Sequence, residues 1–137
     1  MNEILVDTDV VSYLLNRHSF AEKYEELLFG YVPMVSFITV AEMYRGAYKK
    51  NWGPRRMAEL ATHLRRFAIV PSSLQVCLSY AHISNAAESH GRPIETAEAF
   101  IAARALSLNI PLATNNRRHF EGIEGLTVLS VQPARPA

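Results

Sequence analysis

The chain is built from short apolar blocks separated by polar breaks. "EILV" turns apolar after its first residue and stops at an acid, which predicts a buried first strand, and Thr8 or Asp9 can then cap a helix running to about Asn16. Residues 20–29 read as a second helix and "PMVSF" as a second strand. From Thr39 to Lys50 the pattern is helical again, opened by a capping box in which Thr39 and Glu42 stand three residues apart. "NWGP" breaks that helix and Pro54 suits the start of the next, where Met57, Leu60, Ala61 and Leu64 form an apolar stripe opposite Arg55, Arg56, Glu59 and Arg66. "FAIVP" predicts a third strand and residues 73–89 a long helix stopped at "HGRP". Residues 95–108 read as another helix, followed by strand "PLAT", a turn at "NNRR" and a last strand "LTVLS".

Strands that alternate with helices predict a parallel sheet covered by helices, with ligands gathered beyond the carboxyl ends of the strands. Asp7, Asn115 and Asn116 directly follow predicted strands. Crossover helices run antiparallel to the strands, so their first turns return to the same edge and bring Glu42, Glu95 and Glu98 with them.

Length and composition narrow the picture. A chain of 137 residues, about half of them apolar, predicts one domain, here residues 1–131, followed by a flexible, Pro-containing tail over 132–137. The net charge of +1 does not advertise nucleic-acid binding by the whole chain, although basic residues pair at Lys49-Lys50, Arg55-Arg56, Arg65-Arg66 and Arg117-Arg118. Cys77 is alone, which excludes an internal disulfide and a thiolate metal cluster. With Glu3 and Asp7 near the start, where a signal peptide would be basic and then apolar, a cytoplasmic protein is expected. Residues 67–87 carry no Lys, Arg, Asp or Glu, yet Pro71, Gln75, His82 and Asn85 make them too polar for a membrane span. They are expected to be buried, Cys77 among them. Tyr44, Tyr48 and Trp52 fall four apart, a stripe that fits core, a dimer face or a partner groove, with core the first choice, and the five histidines show no metal-ligand pairing.

Asp7 and Asp9 are the only aspartates; the other eleven acids are glutamates. Carboxylates crowded at one edge repel each other, so a cluster of Asp7, Glu42 and Glu98 calls for protonation or a cation. Mg²⁺ or Mn²⁺ suits a few carboxylates with positions left open for phosphate oxygens. Such a site can hydrolyse a phosphodiester. Each acid also has a plainer role: Asp7 as a helix cap, Glu42 in the capping box, and Glu98 in a first helical turn, where it favours the dipole.

The segments "ILVDTDVVSYLL", "SFITVAEMYRGA", "PIETAEAFIAARAL" and "PLATNNRRHFEGIEGLTVL", in this order, resemble a PIN domain, specifically the VapC-type toxins of type II toxin–antitoxin pairs. The resemblance spans about residues 3–131. It implies a PIN-like α/β fold, with a central parallel β-sheet of about five strands flanked by helices. It also implies an endoribonuclease that cuts tRNA or ribosomal RNA to leave 5′-phosphate and 3′-hydroxyl ends, inhibiting translation and growth. Its implied metal ligands are Asp7, Glu42 and Glu98, with Asn116 at a fourth acidic position and Thr114 as a hydroxyl partner. Asp9 and Thr8 are supporting candidates, Glu95 is a second choice one turn before Glu98, and Arg117, Arg118 and His119 are candidates for RNA contact. The implied partners are a VapB-like antitoxin that blocks the acidic pocket and a second copy of the chain in a homodimer, with no membrane. The chain departs from the pattern at Glu98, where the resemblance expects aspartate. One extra bond there can lower the rate on the order of 100-fold.

Two other classes compete. The D-x-D after an apolar strand also fits a haloacid-dehalogenase-like phosphatase, but the later acidic motif of those enzymes usually contains aspartates and this chain has none after Asp9. A catalytically attenuated or degenerate PIN module that binds RNA or a partner is the other.

Overall fold

In the computed structural model, which describes residues 2–133, the chain runs β1 (Asn2–Val6), α1 (Thr8–Asn16), α2 (Ala21–Leu28), β2 (Tyr31–Ser36), α3 (Phe37–Lys49), α4 (Pro54–Leu64), β3 (Ala68–Val70), α5 (Leu74–Ser89), α6 (Thr96–Leu108), β4 (Leu112–Ala113), α7 (Arg117–Phe120) and β5 (Val128–Leu129). The five strands pair only in parallel, in the order β3-β2-β1-β4-β5. From β1 the chain first builds outward on one side through β2 and β3. It then crosses back to lay β4 on the other side of β1. That reversal opens a crevice at the carboxyl ends of β1 and β4.

Strand alternation feeds two cores. Ile4 and Val6 of β1, with Val35 and Ala113, pack under α1 to α4 against Val10, Val11, Tyr24, Met43 and Leu60. Leu5, Val70 and Leu112 point the other way, against Val76, Ile83, the alanines of α6 and Phe120. Fully burying each aliphatic side chain contributes about 1.5–3 kcal/mol, so the central strand is held from both faces.

The structure departs from the sequence expectations in several places. The cap of α1 is Asp7, in the plainer role open to that acid, rather than Thr8 or Asp9: it keeps an extended backbone and accepts the Thr8 N–H on its side chain. The box expected at Thr39 and Glu42 does not form, because α3 starts two residues earlier and Ser36 caps it by accepting from Ile38 N at 3.3 Å. The "NNRR" turn continues into the one-turn helix α7, anchored by the buried Phe120. Finally, the uncharged stretch is not buried. Of α5 only Val76 and Ile83 are buried, Cys77 is exposed, and Leu74 and Leu78 are 75% and 64% exposed. Tyr48 is likewise exposed, while Tyr44 and Trp52 pack partly against the first core.

Among the described residues no helix is long and apolar enough to cross a membrane. Residues 134–137 of the expected tail lie outside those described.

Candidate active site

At the crevice the end of β1 is tied to the end of β4: Asp7 N donates to Ala113 O at 2.9 Å. This sets the Asp7 carboxylate beside the segment that follows β4. Its Oδ1 accepts from Thr8 N at 2.8 Å and its Oδ2 from Thr114 Oγ1 at 2.6 Å. Asp7 is 4% exposed and Thr114 is fully buried. Thr114 in turn accepts from Asn116 N at 3.0 Å, so one hydroxyl joins the acid to the next loop. Asp9 does the same one residue along, accepting from Val10 N at 2.7 Å and from Asn115 N at 3.0 Å. Tyr24, a buried tyrosine on the charge-rich α2, closes the corner by donating to Asn115 Oδ1 at 2.7 Å.

The two glutamates arrive on helices and are held by side chains. Thr8 Oγ1 donates to Glu42 Oε1 at 2.6 Å and sits 2.9 Å from Thr39 Oγ1. Since the one hydroxyl hydrogen of Thr8 goes to the carboxylate, Thr39 is the donor between the two threonines. Glu98, in the first turn of α6, accepts from His119 Nδ1 at 2.5 Å. Glu95 sits at the cap of α6, exposed and without a capping bond. Asn116 and Arg118 are exposed beside the site, and half-buried Arg117 turns its Nε onto Gln132 O at 3.3 Å. Sequence reasoning thus missed Tyr24, Thr39 and the His119–Glu98 contact. Only Tyr24 left a signal, as the single aromatic residue in "AEKYEELL".

The electrostatics reflect crowding. Burial, and then the charge of Asp9, push the Asp7 carboxyl from 3.8 up to about 7, against the hydrogen bonds from Thr114 and Thr8; Glu98 adds to the rise. Burial also raises Asp9, again with a contribution from Glu98. Asp7, Asp9 and Glu98 therefore feel one another across the crevice. Their surroundings supply oxygen atoms and no thiolate, a donor chemistry that fits a hard divalent cation. As the side chains stand, no three His, Cys, Asp or Glu residues among those described could hold one ion together. Asp7 is the buried centre; Glu42 is held by Thr8, the next residue along, and Glu98 by His119.

Residues 4–126 match the PIN domain family. Ribonuclease VapC1 of Haemophilus influenzae strain R2866 is 32% identical over 124 residues, spanning 89% of this chain and 92% of that protein. Among solved structures, VapBC2 from Rickettsia felis, bound to a DNA fragment from its promoter, superposes with a TM-score of 0.83 at 25% identity, covering 94% of this chain and 98% of that one. VapBC-1 from nontypeable Haemophilus influenzae gives a TM-score of 0.79 at 30% identity, covering 93% and 96%. With the parallel sheet, the crevice at β1 and β4 and these relatives in agreement, the chain belongs to the PIN domain family and, within it, to the VapC proteins.

Proposed function

We propose that this chain is an endoribonuclease toxin that hydrolyses RNA with Mg²⁺ or Mn²⁺ at the β1–β4 crevice and is neutralised by a VapB-like antitoxin. The observation that carries the reading is Asp7, a buried carboxylate whose pKa is raised to about 7 by burial and by its acidic neighbours. A site that destabilises its own charge in this way gains when a cation enters. The ribonuclease name of the Haemophilus relative and the VapBC assemblies that share the fold support the activity and the partner class.

In this reading Asp7, Glu42 and Glu98 hold the metal, and Asp9 and Thr8 keep the first turn of α1 in place. When bound, a divalent cation supplies Lewis acidity toward a phosphodiester and neutralises the acids. The chain's own residues do the rest. Thr114 fixes Oδ2 of Asp7 and, through Asn116 N, the approach of the following loop. Arg118 and His119, exposed on α7, face RNA phosphates entering beside Asn116. The working form is a homodimer in the cytoplasm.

Cleavage of a structured RNA pool by purified protein in Mn²⁺ tests the reading. The parent chain should cut and EDTA should stop it. Asp7→Asn should be inactive while keeping its fold by circular dichroism, and a fully active Asp7→Asn protein would sink the mechanism.

A second reading draws on the hydrogen bonds that occupy Glu42 and Glu98. In it the chain is a PIN module that binds RNA without cutting. RNA retention with no Mn²⁺-dependent cleavage at any metal concentration would favour it.

A further inference from the structure

The four carboxylates at the crevice are fixed in different ways. Asp7 and Asp9 are short, and each accepts a backbone N–H, so the fold itself sets their positions. Glu42 is gripped by a hydroxyl one residue from Asp7. Glu98 has one more rotatable bond than an aspartate, and the bond that fixes it comes from a single residue, His119.

His119 is itself firmly placed. Phe120, 1% exposed, packs in the same core as Ala99, so two buried neighbours bring residues 119 and 98 face to face. His119 N also donates to Asn116 O at 2.9 Å, and Asn116 is tied through Thr114 to Asp7. The ring is 53% exposed while the Glu98 side chain is only 14% exposed, so the imidazole covers the carboxylate from the solvent side. With Oε2 taken by Nδ1, Oε1 is left for another partner. Glu98 remains close enough to act on both Asp7 and Asp9.

We infer that His119 is the positioning residue for Glu98, fixing Oε2 through the Nδ1–Oε2 hydrogen bond so that the carboxylate is kept at the crevice, with Oε1 free, when a divalent cation draws the acids together. The inference rests on the metal-dependent reading of the crevice. A partner that orients a ligating carboxylate typically changes metal affinity 10- to 100-fold when removed. Contact with RNA is a separate role for the exposed edge of the same ring.

The test is Mn²⁺ binding to the full chain without RNA, read by the loss of free-ion electron paramagnetic resonance signal. His119→Ala should weaken binding about tenfold. His119→Asn, which keeps an N–H donor near the place of Nδ1, should stay within about threefold of the parent. In cleavage assays the His119→Ala defect should recede as Mn²⁺ is raised. Unchanged Mn²⁺ affinity in His119→Ala overturns the inference, and so does tighter binding, which would mean that His119 holds Glu98 away from the ion. An equal loss in both variants overturns the hydrogen bond as the cause. Asp7→Asn separates the two levels: if it leaves the parent's Mn²⁺ binding intact, the metal reading of the crevice fails and takes the inference with it, whereas Asp7-dependent binding that ignores His119 sinks the inference alone.

Discussion

The β1–α1 corner and the two helices that face it hold the same chemical group by opposite means. At the corner, Asp7 and Asp9 each accept a backbone N–H group, with the Thr114 hydroxyl added on Asp7, and their places follow from where the strands end. On α3 and α6, Glu42 and Glu98 are held by the side chains of Thr8 and His119. Backbone donors cannot turn away, while side-chain donors can be replaced or rotated. The corner is therefore the fixed half of the site, and the helices are the adjustable half. Burial singles out one acid: Asp7 is buried and strained electrostatically, whereas Asp9, Glu42 and Glu98 are partly covered.

The comparison breaks most sharply at Asp7. Asp7→Asn should lower cleavage by roughly 1,000-fold or more, beyond any change on the helix side. The same change should strengthen the metal-free fold at alkaline pH. Folding raises the Asp7 pKa from 3.8 to about 7, so the folded chain holds that proton more tightly than the unfolded chain does. The contribution to stability is fully present below 3.8 and is lost as pH rises through about 7. Roughly 2–4 kcal/mol is at stake. In thermal melts without metal, Asp7→Asn should exceed the parent by several degrees at pH 8 and match it near pH 4. Saturating Mn²⁺ at pH 8 should stabilise the parent and not the variant.

Glu98→Asp sharpens the comparison from the adjustable side. The shorter carboxylate withdraws from His119 but restores the aspartate that the family pattern expects, and cleavage should rise by up to about 100-fold. His119→Ala should then add little in the Glu98→Asp background, a non-additivity that a double-mutant cycle would read directly. Next in size is Thr114→Val, an isosteric change at the corner. It removes the donor to Asp7 and the acceptor of Asn116 N, and should lower stability by about 1–2 kcal/mol, measured in urea, with a few-fold loss of cleavage.

Much of the fixed half was legible in the sequence because it depends on local pattern. An apolar run ending in Asp7 announces a buried strand, and "PLAT" before "NN" announces the strand laid beside it. The adjustable half was less legible because it depends on packing between distant segments. Thr39 and Glu42 have the spacing of a capping box, but Ser36 caps the helix first, and both residues are released to meet Thr8. The helix α7 was hidden by its turn-forming asparagines, since its one deep anchor, Phe120, shows no periodicity by itself. On α5 the near absence of charge suggested burial, yet only Val76 and Ile83, seven residues apart, are buried, with half-buried Tyr80 between them stacked on Phe100. A narrow stripe like that buries one side and leaves the opposite face in solvent.

Tyr24 supplies the smallest and most discriminating change, because it supports the corner without reaching the crevice. Its hydroxyl donates to Asn115 Oδ1 and lies 3.4 Å from Ser130 Oγ, below the loop whose backbone N–H groups meet Asp9 and Thr114. Tyr24→Phe keeps the fully buried ring and its packing while leaving Asn115 without that donor. A stability loss of about 1 kcal/mol is expected from urea unfolding, with Mn²⁺ affinity changed by less than about threefold. The backbone bonds at the corner remain when the hydroxyl goes, so the loop keeps its path. If Tyr24→Phe instead weakened Mn²⁺ binding as much as His119→Ala, the corner would be as adjustable as the helices, and the division between a fixed and a tunable half of the site would fail.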